Sequence, residues 1–271
     1  MRKAFILNII YLFCILSCLN ANEGTLQYPE PAEGWKDGDW MSLQIQSPID
    51  IPSINDESVY IDDGSHAKIK SLSYSKINSG EVKFDKNLKW TTNELDIGYI
   101  ELELNQTLYK YKLNSIHFHL YSEHRIENKQ YPMEMHIIHK NTNKNDKKNE
   151  NLIIGVLFDY IDDKESKFLN DINLSNEKKI KEASLTNLIH KDDEYYYYKG
   201  SLTTVPCTEN VNWIVFKNIK HMSYNQFKKL KKRIENSDMK YYLVGYGNAR
   251  GPKKLNGRKI YLENHHIEDS L

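Results

Sequence analysis

Two histidines separated by one residue, His117 and His119, lie in a segment with the composition of a β-strand. Successive side chains of a strand point to opposite faces, so both imidazoles project from one face with Cβ atoms roughly 7 Å apart. Two rings at that separation can bind one metal ion, while Phe118 points to the opposite, apolar face. A catalytic zinc typically has three protein ligands and one open position, so the pair predicts a site that needs a third ligand.

A second strand-like segment, residues 134–139, offers that ligand twice, as His136 and as His139. The two point to opposite faces of a strand, so one site can use only one of them. Glu134 shares a face with His136, and a carboxylate beside a metal-binding histidine fixes the tautomer of its ring. This favours His136 as the ligand and Glu134 as its orienting partner. Histidines in such patterns are also common as ordinary core or surface residues, and spacing alone leaves both interpretations open.

The surrounding pattern predicts a predominantly β protein with few short helices. Residues 99–104 and 108–113 alternate around an Asn105-Gln106 turn, as in a hairpin, and residues 152–158 are apolar on both faces, as in a central strand. Residues 223–236 form the best helix candidate, with Ser223 as cap and Gln226 at the capping-box position. The polar residues 140–151 are typical of a solvated loop. The other strand candidates are residues 116–121, 133–139, 213–216 and 241–244.

Composition narrows the class of protein. The 271 residues carry 37 Lys+Arg and 37 Asp+Glu, a formal net charge of zero that argues against nucleic-acid binding. The mean hydropathy of -0.68 excludes a protein with many membrane spans. Residues 1–21 have a basic start and an apolar run, which predicts a cleaved signal peptide, a secreted product and no transmembrane anchor in the mature chain. We expect one domain over residues 22–271, with its core at about residues 40–261.

Secretion raises two further expectations. Cys14 and Cys18 lie in the predicted signal peptide, which leaves Cys207 as an odd thiol that is free or pairs between chains in a homodimer. Asn105 and Asn173 begin triplets that match the N-glycosylation acceptor.

Five motifs in order resemble the α-class carbonic anhydrases, over about residues 40–261. They are Gln-Ser-Pro-Ile-Asp-Ile at residues 46–51, His-Phe-His at 117–119, Ser-Glu-His at 122–124, Glu-Met-His-Ile-Ile-His at 134–139 and Gly-Ser-Leu-Thr-Thr at 200–204. The resemblance implies a single domain around a large, twisted, mostly antiparallel sheet with a central zinc cleft. It implies Zn²⁺ held by His117, His119 and His136, and reversible hydration of carbon dioxide by a zinc-hydroxide mechanism.

The resemblance also implies roles for other residues. Thr203 would accept a hydrogen bond from the zinc-bound hydroxide and donate one to Glu123, and Thr204 would line the bicarbonate site. The backbone carbonyl of Asn248 would accept the N–H of His119. Sulfonamides and anions would inhibit. An apolar wall for CO₂, which could equally be ordinary core, would consist of Ile138, Ile153, Leu202, Val211 and Trp213.

Three positions besides Glu81 depart from the family pattern. Ser115 replaces a glutamine that reaches the free ring nitrogen of the first zinc histidine, so we expect His117 to be held less firmly. Val205 stands where many members have proline, and should change the loop alone. The usual partner of Cys207 is missing, since residues 41–46 contain no cysteine.

Two other functions stay open at this point. Relatives with this fold can be binding or adhesion modules, but these usually lose a zinc histidine. The same zinc site could also hydrolyse activated esters.

Glu81 stands where fast family members have a histidine that carries protons out of the cleft, and His66 is a conceivable substitute of unknown position. A carboxylate titrates near 4.3 and an imidazole near 6.5, so Glu81 is a weaker proton acceptor by roughly two pKa units, or about 3 kcal/mol. We expect turnover to be slow at low buffer concentration and to rise with added imidazole. A rate that is already high, and that does not respond to imidazole, would refute this.

Overall fold

The computed structural model describes residues 43–62, 64–76, 89–91, 97–161, 164–172, 183–204, 206–235 and 248–265. All of them lie in one compact unit, Ala32–Leu271; a second unit, Met1–Pro31, lies outside the described residues. The predicted signal peptide, Glu81, Asn173, Val205 and the strand at residues 241–244 also lie outside them. No helix in the described part of the chain is both long and apolar enough to cross a membrane.

Strands dominate the described residues. In chain order they are β1 (Asp50–Ile51), β2 (Val59–Ile61), β3 (Ala67–Tyr74), β4 (Trp90–Thr91), β5 (Gly98–Leu104), β6 (Thr107–His119), β7 (Arg125–Ile126), β8 (Lys129–Gln130), β9 (Met133–Asn141), β10 (Asn151–Tyr160), β11 (Tyr195–Ser201), β12 (Glu209–Phe216), β13 (Lys220–Met222) and β14 (Ile260–Glu263). The helices are α1 (Lys167–Asp171) and α2 (Tyr224–Glu235), with 3₁₀ turns at Lys147–Asn149 and Leu185–Asn187. The predicted fold class is confirmed.

Eleven strands of the described residues form one curled, mixed sheet in the order β2-β14-β11-β12-β10-β9-β6-β5-β3, with β13 on β10 and β4 on β6. Most neighbours are antiparallel, as predicted, but β10 runs parallel to β12 and to β13, and β14 runs parallel to β2. A parallel pair needs a crossover, and the chain between β10 and β12 supplies one that contains α1 and β11. The short strands β1, β7 and β8 form a separate sheet.

Local sequence explains these elements. The β5–β6 hairpin pairs Leu104 with Thr107, and its turn residues Asn105 and Gln106 both have positive φ, as a two-residue hairpin turn requires. Asn105 is exposed there, and its glycosylation stays a prediction. The helix α2 begins with the predicted capping box, because Ser223 Oγ accepts from the Gln226 N–H and Gln226 Oε1 accepts from the Ser223 N–H.

The two faces of the sheet carry different kinds of side chains. One face packs the larger apolar cluster, which includes Phe118, Met135 and Ile137 from β6 and β9. The residues that alternate with them, His117, His119 and His136, point to the opposite face, beside a smaller apolar cluster. The strand β10 lies between β9 and β12 and is buried through its first eight residues, as its uninterrupted apolar run predicts.

The sheet curls so far that side chains from β11 and β14 close the outer edge of β3. Tyr195 Oη accepts from the Ile69 N–H at 3.0 Å and donates to the Ala67 carbonyl at 3.1 Å. Glu263 Oε1 accepts from the Ala67 N–H at 3.2 Å. These bonds provide buried backbone groups with partners that no neighbouring strand of the described residues supplies.

Tyr195→Phe should therefore lower the free energy of unfolding by about 2 kcal/mol, since it leaves a buried N–H and a buried C=O without this partner. Urea unfolding measures the change. Tyr224→Phe is the matched control, because that ring is 47% exposed. An equal loss in both variants would contradict the closure of β3 by Tyr195.

Candidate metal centre

Strand pairing brings the three predicted histidines together. In the β6–β9 ladder, His117 lies directly opposite His136, and His119 is two residues further along β6 on the same face. Their ring centroids are 4.8 Å apart for His117–His119, 5.0 Å for His117–His136 and 4.5 Å for His119–His136. His119 and His136 are buried, whereas His117 is partly exposed. The cluster is thus placed where one side of it can meet solvent.

The ring nitrogens show how a metal fits. His119 donates Nδ1–H to the Asn248 carbonyl at 3.1 Å, and His136 donates Nε2–H to Glu134 Oε1 at 2.8 Å. The remaining nitrogens, His119 Nε2 and His136 Nδ1, are then left as lone-pair donors. His136 Nδ1 lies 3.2 Å from His117 Nε2, and His119 Nε2 is buried without a hydrogen-bond partner. One nitrogen per ring, all within 4.8 Å of one another, is the donor set that zinc prefers.

Two of the three residues expected to bind the outer nitrogens of the histidine rings make those hydrogen bonds in the structure. Glu134 orients His136, and the Asn248 backbone carbonyl accepts from His119, as expected. Among the described residues Ser115 makes no hydrogen bond to the His117 ring, and its hydroxyl donates to Asn114 Oδ1 at 3.5 Å. His117 Nδ1 is buried and lacks a hydrogen-bond partner within the described ranges.

Burial sets the protonation of this cluster. It lowers the pKa of His117 well below its ordinary value, with the adjacent His119 and His136 rings adding to the effect, and it lowers the pKa of His119. Burial acts to lower the pKa of His136 as well, but the Glu134 carboxylate outweighs it and raises that pKa. Two rings are therefore neutral near pH 7, the form that binds a metal.

Glu134 accepts four hydrogen bonds although it is completely buried. Oε2 accepts from the backbone N–H groups of Glu123 and His124, both at 2.8 Å. Oε1 accepts from the His124 ring at 2.7 Å and from the His136 ring. Burial alone would raise the pKa of Glu134, but His124 and His136 hold it well below its usual range. His124, Glu134 and His136 also lie within reach of one ion, but their mutual hydrogen bonds make them a support for the histidine cluster.

Glu123 is buried, as expected, but its partner differs from the expected one. Oε1 accepts from the Arg250 backbone N–H at 2.8 Å, and Oε2 has no hydrogen-bond partner in the part of the chain that the structure describes. The expected hydrogen bond from Thr203 is not present among the described residues, and Oε2 lies 3.8 Å from His136 Nδ1. Thr203 is buried and Thr204 is exposed, in the turn that follows β11.

The predicted apolar wall is part of the smaller core cluster. Ile153, Val211 and Trp213 are almost completely buried, whereas Ile138 and Leu202 are only partly buried. Only Ile138 and Leu202 therefore expose side-chain surface, and the other three residues are buried in the same cluster. Trp213 also meets the His136 ring edge-on, with centroids 4.9 Å apart, and donates its N–H to the Ser201 carbonyl.

Three other residues that the sequence analysis singled out have partners outside the three-histidine cluster or are buried without one. His66 bonds Asp62 at 2.8 Å and stacks on Tyr261, which gives no support to a role in proton transfer at the cluster. His139 faces the opposite side of β9, as predicted, and pairs with the Tyr74 hydroxyl. The thiol of Cys207 is free and completely buried, so a bridge to a second chain would require its loop to open.

Sequence reasoning missed a buried series of hydrogen-bonded side chains next to Glu134. His124 contacts the Tyr198 hydroxyl at 2.7 Å, and that hydroxyl contacts Ser47 Oγ at 2.8 Å. Arg250 holds the same region, donating to the Ser47 carbonyl at 2.6 Å. These residues come from segments up to 203 positions apart, so no local spacing could reveal their association.

A predominantly β scaffold with three converging histidines on one sheet face defines a candidate metal-binding protein. The family model of the eukaryotic-type carbonic anhydrases matches residues 31–264. The chain therefore belongs to the eukaryotic-type, or α, carbonic anhydrase family.

Individual relatives agree with this assignment. A carbonic anhydrase of Dunaliella salina is 31% identical over 236 residues, which are 80% of this chain but only 39% of that protein. Carbonic anhydrase Nec1 of Nesocodon mauritianus is 31% identical over 82% of this chain and 76% of its own length. Among solved structures, the Thermovibrio ammonificans α-carbonic anhydrase with the inhibitor sulfanilamide has a TM-score of 0.57 at 28% identity, covering 80% of this chain and 86% of its own. A halotolerant Dunaliella salina carbonic anhydrase has a TM-score of 0.66 at 22% identity, covering 91% of this chain and 100% of its own, and shows the fold.

Ser115→Gln should lower the dissociation constant for zinc about tenfold, because a longer side chain can accept a hydrogen bond from His117 Nδ1–H, and such partners change metal affinity by about 10- to 100-fold. Competition with a chromogenic chelator measures the constant. Ser115→Ala is the control and should leave it unchanged. A tenfold weakening in the alanine variant would show that Ser115 already supports His117.

Proposed function

We propose that the chain catalyses the reversible hydration of carbon dioxide to bicarbonate and a proton, with Zn²⁺ held by His117, His119 and His136. The observation that carries the proposal is the convergence of three ring nitrogens within 4.8 Å, one of them buried and without a partner. When bound, zinc supplies a Lewis acid that lowers the pKa of a water molecule to about 7, a value known from carbonic anhydrase itself.

The chain prepares the site by fixing ring tautomers. The Asn248 carbonyl retains the proton of His119 on Nδ1, and Glu134 retains the proton of His136 on Nε2. Each of these two rings would then present Nε2 of His119 or Nδ1 of His136 to the centre of the cluster. Metal binding requires neutral rings, so His136, whose pKa is raised, would bind the metal in its neutral form. Three neutral ligands would leave the metal its full double charge, which would give the greatest acidification of water.

Glu123 and Thr203 would orient the nucleophile. Glu123 Oε2 is a buried acceptor without a partner among the described residues, so it could accept from the Thr203 hydroxyl, whose oxygen could in turn accept a hydrogen bond. Thr204, which is exposed, would contact bicarbonate.

An apolar surface would receive the substrate. Ile138 and Leu202 are partly buried and belong to the apolar cluster on the histidine face of the sheet, backed by Ile153, Val211 and Trp213. Carbon dioxide has no net charge, so an apolar surface is sufficient to accept it. Proton export would proceed without the usual histidine shuttle, since Glu81 stands at that position.

Inhibition and location follow as parts of the same proposal. A sulfonamide that binds the metal should inhibit, as the solved relative with sulfanilamide suggests by analogy. The apolar run near the N-terminus would direct the chain to the secretory pathway, where Asn105 and Asn173 would be open to glycosylation.

The test combines metal analysis with a stopped-flow assay of CO₂ hydration. Zinc-loaded protein should bind one equivalent of zinc and hydrate CO₂, with loss of activity after chelation and in the presence of a sulfonamide. His119→Asn should bind zinc at least about tenfold more weakly and hydrate CO₂ at least about 100-fold more slowly. His139→Asn is the matched control, because that ring faces away from the cluster. Bound zinc without hydration activity would refute the proposal.

A further inference from the structure

The helix α2 presents a basic face to solvent, which consists of Lys228, Lys229, Lys231 and Lys232. All four lysines are exposed, and the partly exposed Arg233 follows them. The whole chain has no net charge, with 37 basic and 37 acidic residues. Positive charge is therefore concentrated on this helix although the protein as a whole is neutral.

The apolar side of α2 is already buried against the protein's own core. Phe227 and Leu230 are almost completely buried and belong to the larger apolar cluster. An α-helix turns by about 100° per residue, so Lys228 and Lys232 lie on the opposite side of α2. The side chains that a membrane-binding helix would insert into lipid are thus unavailable, and the charged side alone remains to meet a partner.

The basic face costs the helix stability. Side chains three or four residues apart are neighbours on a helix, and like charges at these spacings destabilise it. Such pairs are Lys228–Lys231, Lys228–Lys232, Lys229–Lys232 and Lys229–Arg233. Lys232 and Arg233 lie in the last turn and interact favourably with the helix dipole, but Lys228 and Lys229 are too far from that end. A local arrangement that costs stability without a structural return is typical of a functional surface.

The surroundings of α2 leave this face basic and add an aromatic ring to it. The helix α1 packs beside α2 through the Gln226 side chain, and its Asp171 pairs with Lys167 of the same helix. Lys228 lies over the ring of Tyr224, with Nζ 4.9 Å from the ring centroid, and Tyr224 is 47% exposed. The face thus offers ammonium groups to anions and an aromatic ring against which a sugar ring can pack.

We propose that the basic face of α2 binds a sulfated polysaccharide and so holds the protein at a surface that carries one. Sulfate groups repeated along a flexible chain complement a row of lysines about one helical turn long. A nucleic acid fits less well, because the chain as a whole lacks a basic excess and its proposed secretory route leads away from nucleic acids. The inference rests on the proposed function for that location only and does not involve the histidine cluster.

Affinity measurements with heparin, a sulfated polysaccharide, test the inference. The whole protein, titrated with heparin oligosaccharides in a calorimeter, should bind them. Raising the salt concentration from about 50 to 200 mM should weaken binding roughly 20- to 150-fold if three or four charges are neutralised, by the counterion release known from nucleic acids. The triple variant Lys228→Gln, Lys229→Gln, Lys232→Gln should bind at least about tenfold more weakly, and glutamine preserves the helix.

The matched control is Lys144→Gln, Lys147→Gln, Lys148→Gln, which replaces three exposed lysines and makes the same change in net charge. It should bind heparin as the wild type does, and both variants should hydrate CO₂ at the wild-type rate. Equal weakening in both variants would overturn the inference, because net charge alone would then govern binding. Tighter binding to phosphatidylserine vesicles or to DNA than to heparin would overturn it too. A wild type that binds heparin but does not hydrate CO₂ would refute the proposed function alone.

Protection from acetylation decides the question within the native chain if the α2 variant fails to fold. Heparin should slow the acetylation of the α2 lysines at least about tenfold, measured peptide by peptide with mass spectrometry, because bound sulfate groups shield them. The three control lysines should react at an unchanged rate. Equal protection of the two sets of lysines would overturn the inference.

Discussion

The buried carboxylate of Glu134 is the constraint on which the site depends. An ionised carboxylate with no exposed surface costs several kcal/mol unless hydrogen bonds replace its lost water. Here four donors do so, and one of them is the His136 ring that faces the metal position. The donors fix the carboxylate, and the carboxylate fixes the ring, so the outer support determines which nitrogen His136 offers.

That carboxylate also dictates the strand beside it. Gly155 on β10 lies opposite His136 in the β9–β10 ladder, and a Cβ at this position would come within 2.8 Å of Glu134 Oε1. A glycine in a central strand weakens the strand, but here it leaves room for the charged group. Packing around an ion thus overrides the strand propensity of a single position.

Period-two alternation was sufficient to predict which of these side chains share a face of the sheet. It placed His117, His119, His136 and Glu134 on one face and His139 on the other, and the β6–β9 pairing agrees. Alternation has no information about partners from distant segments, so it missed Arg250 behind Glu123 and Tyr198 behind His124. The resemblance supplied Asn248, but not the Arg250 N–H that binds Glu123, because that contact joins segments 127 positions apart.

The closure of β3 has a consequence for how copies of this chain meet one another. A row of free backbone groups on an outer strand invites another molecule to add its own strand, a route to fibres and precipitates. At Ala67 and Ile69 those groups are already taken by a phenol and a carboxylate from the far side of the same sheet. The curl of the sheet therefore protects that border against self-association.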